Sequence, residues 1–216
     1  MDIGKLYRNR FHKNDLDIKN KVWEILCEKF FQKYISYDSV VLDIGAGYCE
    51  FINNIKARKK YAIDINNDIY KYADSSVKIF ILDAKRMKDI SSNSIDFVFI
   101  SNFFEHLDIK KEILVVLKEI HRVLKKGGKV LILQPNIRYC YKEYWDFFDH
   151  KLPLTHKSLE EALLMQDFKI YKSIPRFLPY TIKSNLPKNS FIIKLYLKLP
   201  FIWKLFGKQA FIIGTK

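Results

Sequence analysis

The sequence has little of what several protein classes are built from. Its three cysteines, Cys27, Cys49 and Cys140, are widely spaced and odd in number. With no Cys-x-x-Cys pair among them, neither a disulfide framework nor a structural zinc knot is indicated, and a reducing compartment fits. No stretch reaches about 18 uninterrupted apolar residues, the length expected of a membrane span. The opening residues, MDIGKLYRNRFHKNDL, are charged and lack the apolar run of a secretory signal. These absences point to a cytoplasmic protein, with peripheral attachment to a membrane surface still open. Internal repeats and low-complexity tracts are missing as well. So, over one long region, are acids: Phe168 to Lys216 holds no Asp or Glu and contributes +10 of the chain's net +14, leaving +4 for everything before it.

What is present suits a single domain spanning residues 1–216. With 49% hydrophobic and 15% aromatic residues, a chain of this size can bury roughly 70% of its unfolded surface. Between Leu16 and Tyr34, apolar residues Ile18, Val22, Trp23, Leu26, Phe30 and Tyr34 recur every three or four positions, predicting a helix within an N-terminal extension, residues 1–35. Short apolar runs predict strands at Val40 to Ile44, Lys60 to Ile65, Val77 to Leu82, Ile95 to Ile100 and Lys129 to Leu133. Helices are predicted at Cys49 to Ala57, about Asp68 to Asp74, and Lys110 to Leu124. The last of these would stop at Lys125-Lys126-Gly127, where two cations favour the carbonyl end and glycine permits a left-handed cap. This alternation predicts an α/β fold, a Rossmann-like open sheet with mostly parallel strands and helices on both faces. Beyond it come an aromatic lid or loop, residues 137–156, a helix from Lys157 to Met165, and strands at Phe168 to Tyr171 and Ala210 to Gly214. Between those strands lies a basic aromatic insertion, residues 173–207, with four of the six prolines. An excursion of that length in a compact fold is more often functional than idle.

The first strand runs into a glycine turn, Asp43-Ile44-Gly45-Ala46-Gly47, and Asp64 closes the next strand 21 residues after Asp43. Glycines let a ligand approach the backbone, and a carboxylate one strand over can accept from ribose hydroxyls. That pattern alone fits NAD, FAD or S-adenosylmethionine. The third glycine of a dinucleotide fingerprint would fall at Glu50, however, and an acid there repels a pyrophosphate.

On these residues the chain resembles the class I S-adenosylmethionine-dependent methyltransferases of small molecules. Asp43-Ile44-Gly45-Ala46-Gly47 matches the family's acid-x-Gly-x-Gly turn, with Cys49 where a further glycine is frequent. Asp64 and Asp83 match the acids that close its second and third strands. DFVFISNFFEHL is similar to its segment after the fourth strand, LKEIHRVLKKGGKVLI to its helix, Gly-Gly turn and fifth strand, and GKQAFIIGTK to its antiparallel last strand. The resemblance implies S-adenosylmethionine as cofactor. Gly45 and Gly47 would pass under its methionine part, with Asp43 near the ammonium group. Asp64 would hold the ribose hydroxyls, Ile65 would lie against the adenine face, and Asp83 with Ala84 would meet the adenine edge. Ser101 and Asn102 would border the methionine end and the acceptor pocket.

Methyl transfer asks little of a protein beyond alignment, because the sulfonium is already activated and a base matters only when a proton must leave. His106, beside Glu105, is the candidate catalytic base; His150 and His156 flank the aromatic segment. The spacing of these histidines indicates no metal site. The expected acceptor is a small molecule, saccharide-like or related, methylated on oxygen and anionic or lipid-linked; RFLPYTIKSNLPKNS and LPFIWKLFGKQ resemble methyltransferases of glycan-related pathways. Residues 191–206, FIIKLYLKLPFIWKLF, interleave lysines with apolar groups as a lipid headgroup layer would require. Nucleic acid is the alternative partner on charge alone, but the Asn/Asp-Pro-Pro-aromatic signature for base amines is replaced by Ser101-Asn102-Phe103-Phe104. A non-catalytic S-adenosylmethionine-binding protein is the other alternative.

Overall fold

The computed structural model describes residues 13–180 and 189–216, with side chains from residue 16 onward in the first helix. Seven strands form one sheet in the order β3-β2-β1-β4-β5-β7-β6. They are β1 Val40–Ile44, β2 Lys59–Asp64, β3 Val77–Ile81, β4 Ile95–Ser101, β5 Leu124–Pro135, β6 Lys169–Leu178 and β7 Gln209–Thr215. All pairings from β3 to β5 are parallel, and β7 runs antiparallel to both of its neighbours, β5 and β6. The sheet is the mostly parallel, Rossmann-like one that the alternation of runs predicts.

Burial explains which runs became strands. Every residue of β1 is buried, as a central parallel strand covered on both faces demands. One face packs against α3, Lys110–Val123, through Ile113, Val116, Leu117, Ile120 and Val123, a stripe at helical spacing. The other is covered by α1, Lys13–Lys29, and by the turn after it. There Trp23, Phe30 and Phe31 meet Phe99, Phe177 and Phe211 of the sheet, with Phe30 stacked on Phe177 at 4.1 Å between ring centroids. Burying each such ring contributes about 1.5–3 kcal/mol.

Four elements differ from the sequence reading. The helix predicted through Leu124 ends at Val123, because Leu124 pairs with Ile95 of β4. Gly127 is left-handed (φ +76°) but caps no helix; its N–H donates to the Lys216 carbonyl beside β7. The helix predicted from Cys49 to Ala57 is only α2, Glu50–Asn54, and residues 67–71 form a 3-10 turn. Strand β6 continues to Leu178, well past Tyr171, so the excursion before β7 starts later than composition suggests. Its described part is two helices, α6 Ser190–Lys198 and α7 Pro200–Phe206, the break falling at Pro200 as its ring requires. The residues 137–156 contain a short helix, α4 Ile137–Cys140, and a turn at Tyr144–Asp146, followed by α5, His156–Leu164.

Candidate active site

A cleft of about 380 Å3 opens where β1, β2, β3 and β4 end. Its volume is within the roughly 300–1,000 Å3 typical of small-molecule sites, and its position at carboxyl ends of parallel strands is where open α/β sheets bind ligands. The floor is the turn after β1. Gly45 and Gly47 are left-handed (φ +66° and +51°), as is Cys49 (φ +60°), whose thiol is buried. A side chain at Gly45 would place its Cβ 2.6 Å from Phe103 Cδ2, so glycine is needed there for space as well as for φ.

Asp64 ties this floor to the next strand. One carboxylate oxygen accepts from the Gly47 N–H and the other from the Asn66 N–H, both at 2.9 Å. Each oxygen retains acceptor capacity for a ligand hydroxyl. Ile65 beside it is 60% exposed, an apolar plate open to a ring. Across the cleft Asp83 accepts from the Lys85 N–H at 2.8 Å, and Ala84 is buried against the core. Asn102 lines the mouth of β4 with φ +49°.

Gly45, Gly47, Asp64, Ile65, Asp83, Ala84, Asn102 and His106 thus share one wall-to-wall cavity. Asp43 and Ser101 do not line it. Asp43 is buried behind the glycine turn, where burial and the neighbouring Glu50 and Asp64 carboxylates push its carboxyl well above the usual range. Ser101 acts one step removed, its hydroxyl accepting from the Asn102 amide at 3.0 Å.

The cleft's charge is opposite to the chain's. Asp64, Asp68, Asp83, Asp108, Glu112 and Asp149 line it against only Lys85 and Lys151, and those lysines are paired with Glu112 and Asp108. A cationic ligand is therefore favoured. Sequence periodicity gave no sign of this rim, since Asp108 and Glu112 come from one loop–helix junction and Asp149 from a segment beyond β5.

At the inner end stand residues from the aromatic segment. The N–H groups of Lys151 and Leu152 donate to the Glu105 carbonyl at 2.7 and 3.1 Å, and the buried Tyr144 hydroxyl donates to the Leu152 carbonyl at 2.6 Å. This backbone stitching sets Asp149 and His150 against His106. The His106 Nδ1 lies 3.1 Å from the Asp149 carbonyl and 3.3 Å from its carboxylate; the two imidazole rings are 5.1 Å apart. Glu105 is buried beneath them, where desolvation pushes its carboxyl up, partly opposed by His106. His156 is elsewhere: buried, bonded to the Asn136 amide at 2.9 Å, and held below its usual pKa by burial.

A glycine turn, an acid closing the second strand and an acidic cleft on a sheet ordered 3-2-1-4-5-7-6 give the architecture of class I methyltransferases. Residues 42–132 match the family model described as a methyltransferase domain. Among solved structures, the chain is 22% identical to an S-adenosylmethionine-dependent methyltransferase of Archaeoglobus fulgidus, with all of both chains covered and a TM-score of 0.67. It is 18% identical to one of Thermotoga maritima, covering 92% of each chain, TM-score 0.67. A geranyl diphosphate methyltransferase in complex with S-adenosylmethionine is 12% identical, covering 91% of this chain and 84% of that one, TM-score 0.63. No curated protein matches. Residues 42–132 thus carry a methyltransferase domain, on the fold of S-adenosylmethionine-dependent methyltransferases, and S-adenosylmethionine is the cofactor that such a domain uses.

Proposed function

We propose that this methyltransferase acts on an oxygen of a small acceptor that is saccharide-like or a related metabolite, carried on a lipid or a phosphate. The observation that carries this reading is the separation of two surfaces. The acidic cleft suits a sulfonium cofactor, which supplies an activated methyl group when bound. Asp64 takes the ribose hydroxyls, Ile65 and the Asp83-Ala84 pair take the adenine, and Gly45 and Gly47 let the methionine part lie close to the backbone. Asp43 acts through the turn, its charge favouring the ammonium group. Asn102, supported by Ser101, borders the acceptor. His106 lines the acceptor end of the cleft, with Nδ1 turned to Asp149.

The second surface is α6 and α7, none of whose residues lines the cleft. Phe191 (71% exposed), Leu195, Phe201, Leu205 (68%) and Phe206 stand out beside Lys194, Lys198 and Lys204. Among the described residues no helix is long and apolar enough to cross a membrane. Exposed aromatics with interleaved lysines instead support peripheral docking of residues 191–206 on an anionic lipid layer, which would present a lipid-linked acceptor to the cleft. Liquid chromatography and mass spectrometry of lipid-linked glycans from cells with and without the gene tests the reading. A methyl increment, about 14 mass units, is expected only with the gene; an unchanged lipid-linked pool with a methylated nucleic acid would overturn it.

A further inference from the structure

Methyl transfer from a sulfonium needs an aligned acceptor, yet the residues around and behind His106, at the cleft wall, hold more chemistry than alignment requires. Glu105, His106 and His150 each bring one potential ligand atom within 4.8 Å of the others. Both histidines turn Nδ1 toward oxygen. His106 Nδ1 faces the Asp149 carbonyl and carboxylate, and His150 Nδ1 faces the Tyr144 carbonyl at 3.0 Å and the Tyr180 hydroxyl at 3.2 Å. Carbonyl oxygens only accept, so a proton on Nδ1 satisfies both contacts and makes Nε2 the nitrogen that would ligate. Imidazoles that ligate metals are oriented in this way, by a carbonyl or carboxylate on the other nitrogen.

Glu105 supplies an independent observation. It is 1% exposed; Oε2 accepts from the Gln134 amide at 2.9 Å, while Oε1 is buried with no hydrogen-bond partner. A buried carboxylate oxygen without a donor is costly, and a cation removes that cost. We propose that Glu105, His106 and His150 bind a divalent transition-metal ion whose remaining coordination positions face the cleft that His106 lines. Two imidazoles and one carboxylate suit manganese, iron, cobalt or zinc better than magnesium or calcium. With bonds of about 2.1 Å, the three ligand atoms would draw together by roughly 1 Å on binding.

This rests on the methyl-transfer reading and specifies how His106 serves it: as a ligand, not as a free base. The ion would coordinate the acceptor hydroxyl and lower its pKa. The hydroxyl proton passes to solvent water. The oxygen then forms a bond to the methyl carbon as the carbon–sulfur bond breaks, its electron pair staying on sulfur. The ion also reconciles an acidic cleft with an anionic acceptor, to which it presents positive charge.

The test is titration of chelator-stripped protein with Mn2+ alone, following free Mn2+ by electron paramagnetic resonance, with Co2+ absorption as a second readout. One site per chain is expected. His150→Ala and Glu105→Gln should weaken it at least about 10-fold, while both retain S-adenosylmethionine affinity as proof of folding. Absence of Mn2+ and Co2+ binding by stripped protein that still binds S-adenosylmethionine would overturn the metal site and leave methyl transfer intact. Equal metal affinity in wild type and His150→Ala would overturn the ligand set. Metal binding without any S-adenosylmethionine binding would instead count against the methyl-transfer reading.

Discussion

The cleft and the α6–α7 flank are built from opposite materials. Six carboxylates line the cleft against two paired lysines, whereas Phe168 to Lys216 contains no acid at all. The difference teaches that a net charge of +14 says little about what the active site binds. The cleft at the strand ends is anionic in a cationic protein, and the excess positive charge lies on another surface. If the two regions work independently, substitutions in one should leave the other's ligand untouched.

The largest expected effect is at Asp64. Hydrogen bonds to a charged group contribute about 1.5–3 kcal/mol each, so Asp64→Ala, losing two ribose contacts and the support of Gly47, should weaken S-adenosylmethionine about 1,000-fold by calorimetry. Vesicle binding should be unaffected. Next is the flank. Replacing Lys194, Lys198 and Lys204 by alanine removes about 1 kcal/mol of attraction each to an anionic surface, which predicts roughly 100-fold weaker recovery with phosphatidylserine vesicles and unchanged cofactor affinity.

How much of this contrast the sequence displays depends on how local each feature is. Gly45, Gly47 and Asp64 are legible because a strand, a tight turn and the next strand place them within one short unit. The acid-free stretch is legible by counting. His150 beside His106 is not, because the chain between them folds back only when Lys151 and Leu152 donate to the Glu105 carbonyl, a contact with no sequence signature. Gly127 misleads for a similar reason: its left-handed conformation serves a pairing with Lys216 at the far end of the chain, which no local cap rule anticipates. Strand β6 outruns its apolar core because pairing with β7 carries it through Lys172, Ser173 and Ile174 to Leu178.

A smaller effect is expected at Gly45. Alanine there is forced into the left-handed region at about 1–2 kcal/mol and displaces Phe103 from the cleft wall. Thermal denaturation should show a loss of about 2–4 °C for each kcal/mol, with cofactor affinity falling roughly 10-fold, the two losses summing near 2–3 kcal/mol by the tenfold-per-1.4 rule.

The smallest effect is in pH dependence. Asp43 has a folded pKa raised by burial and by Glu50 and Asp64. Its contribution to stability is therefore full below the unfolded value near 4 and lost as pH rises through the folded value. A cationic cofactor favours the ionised form, so its binding should release protons and tighten as pH rises toward the raised folded value. Calorimetry in buffers of different ionisation enthalpy reads that release, and Asp43→Asn should flatten the profile.

The independence of the two regions is tested most directly by sedimenting the protein with anionic vesicles in the presence of labelled S-adenosylmethionine. Wild type should carry label into the pellet. Asp64→Ala should sediment without label, and the triple lysine variant should stay in the supernatant with label bound. Either substitution abolishing both cofactor and vesicle binding in a folded protein would contradict the account.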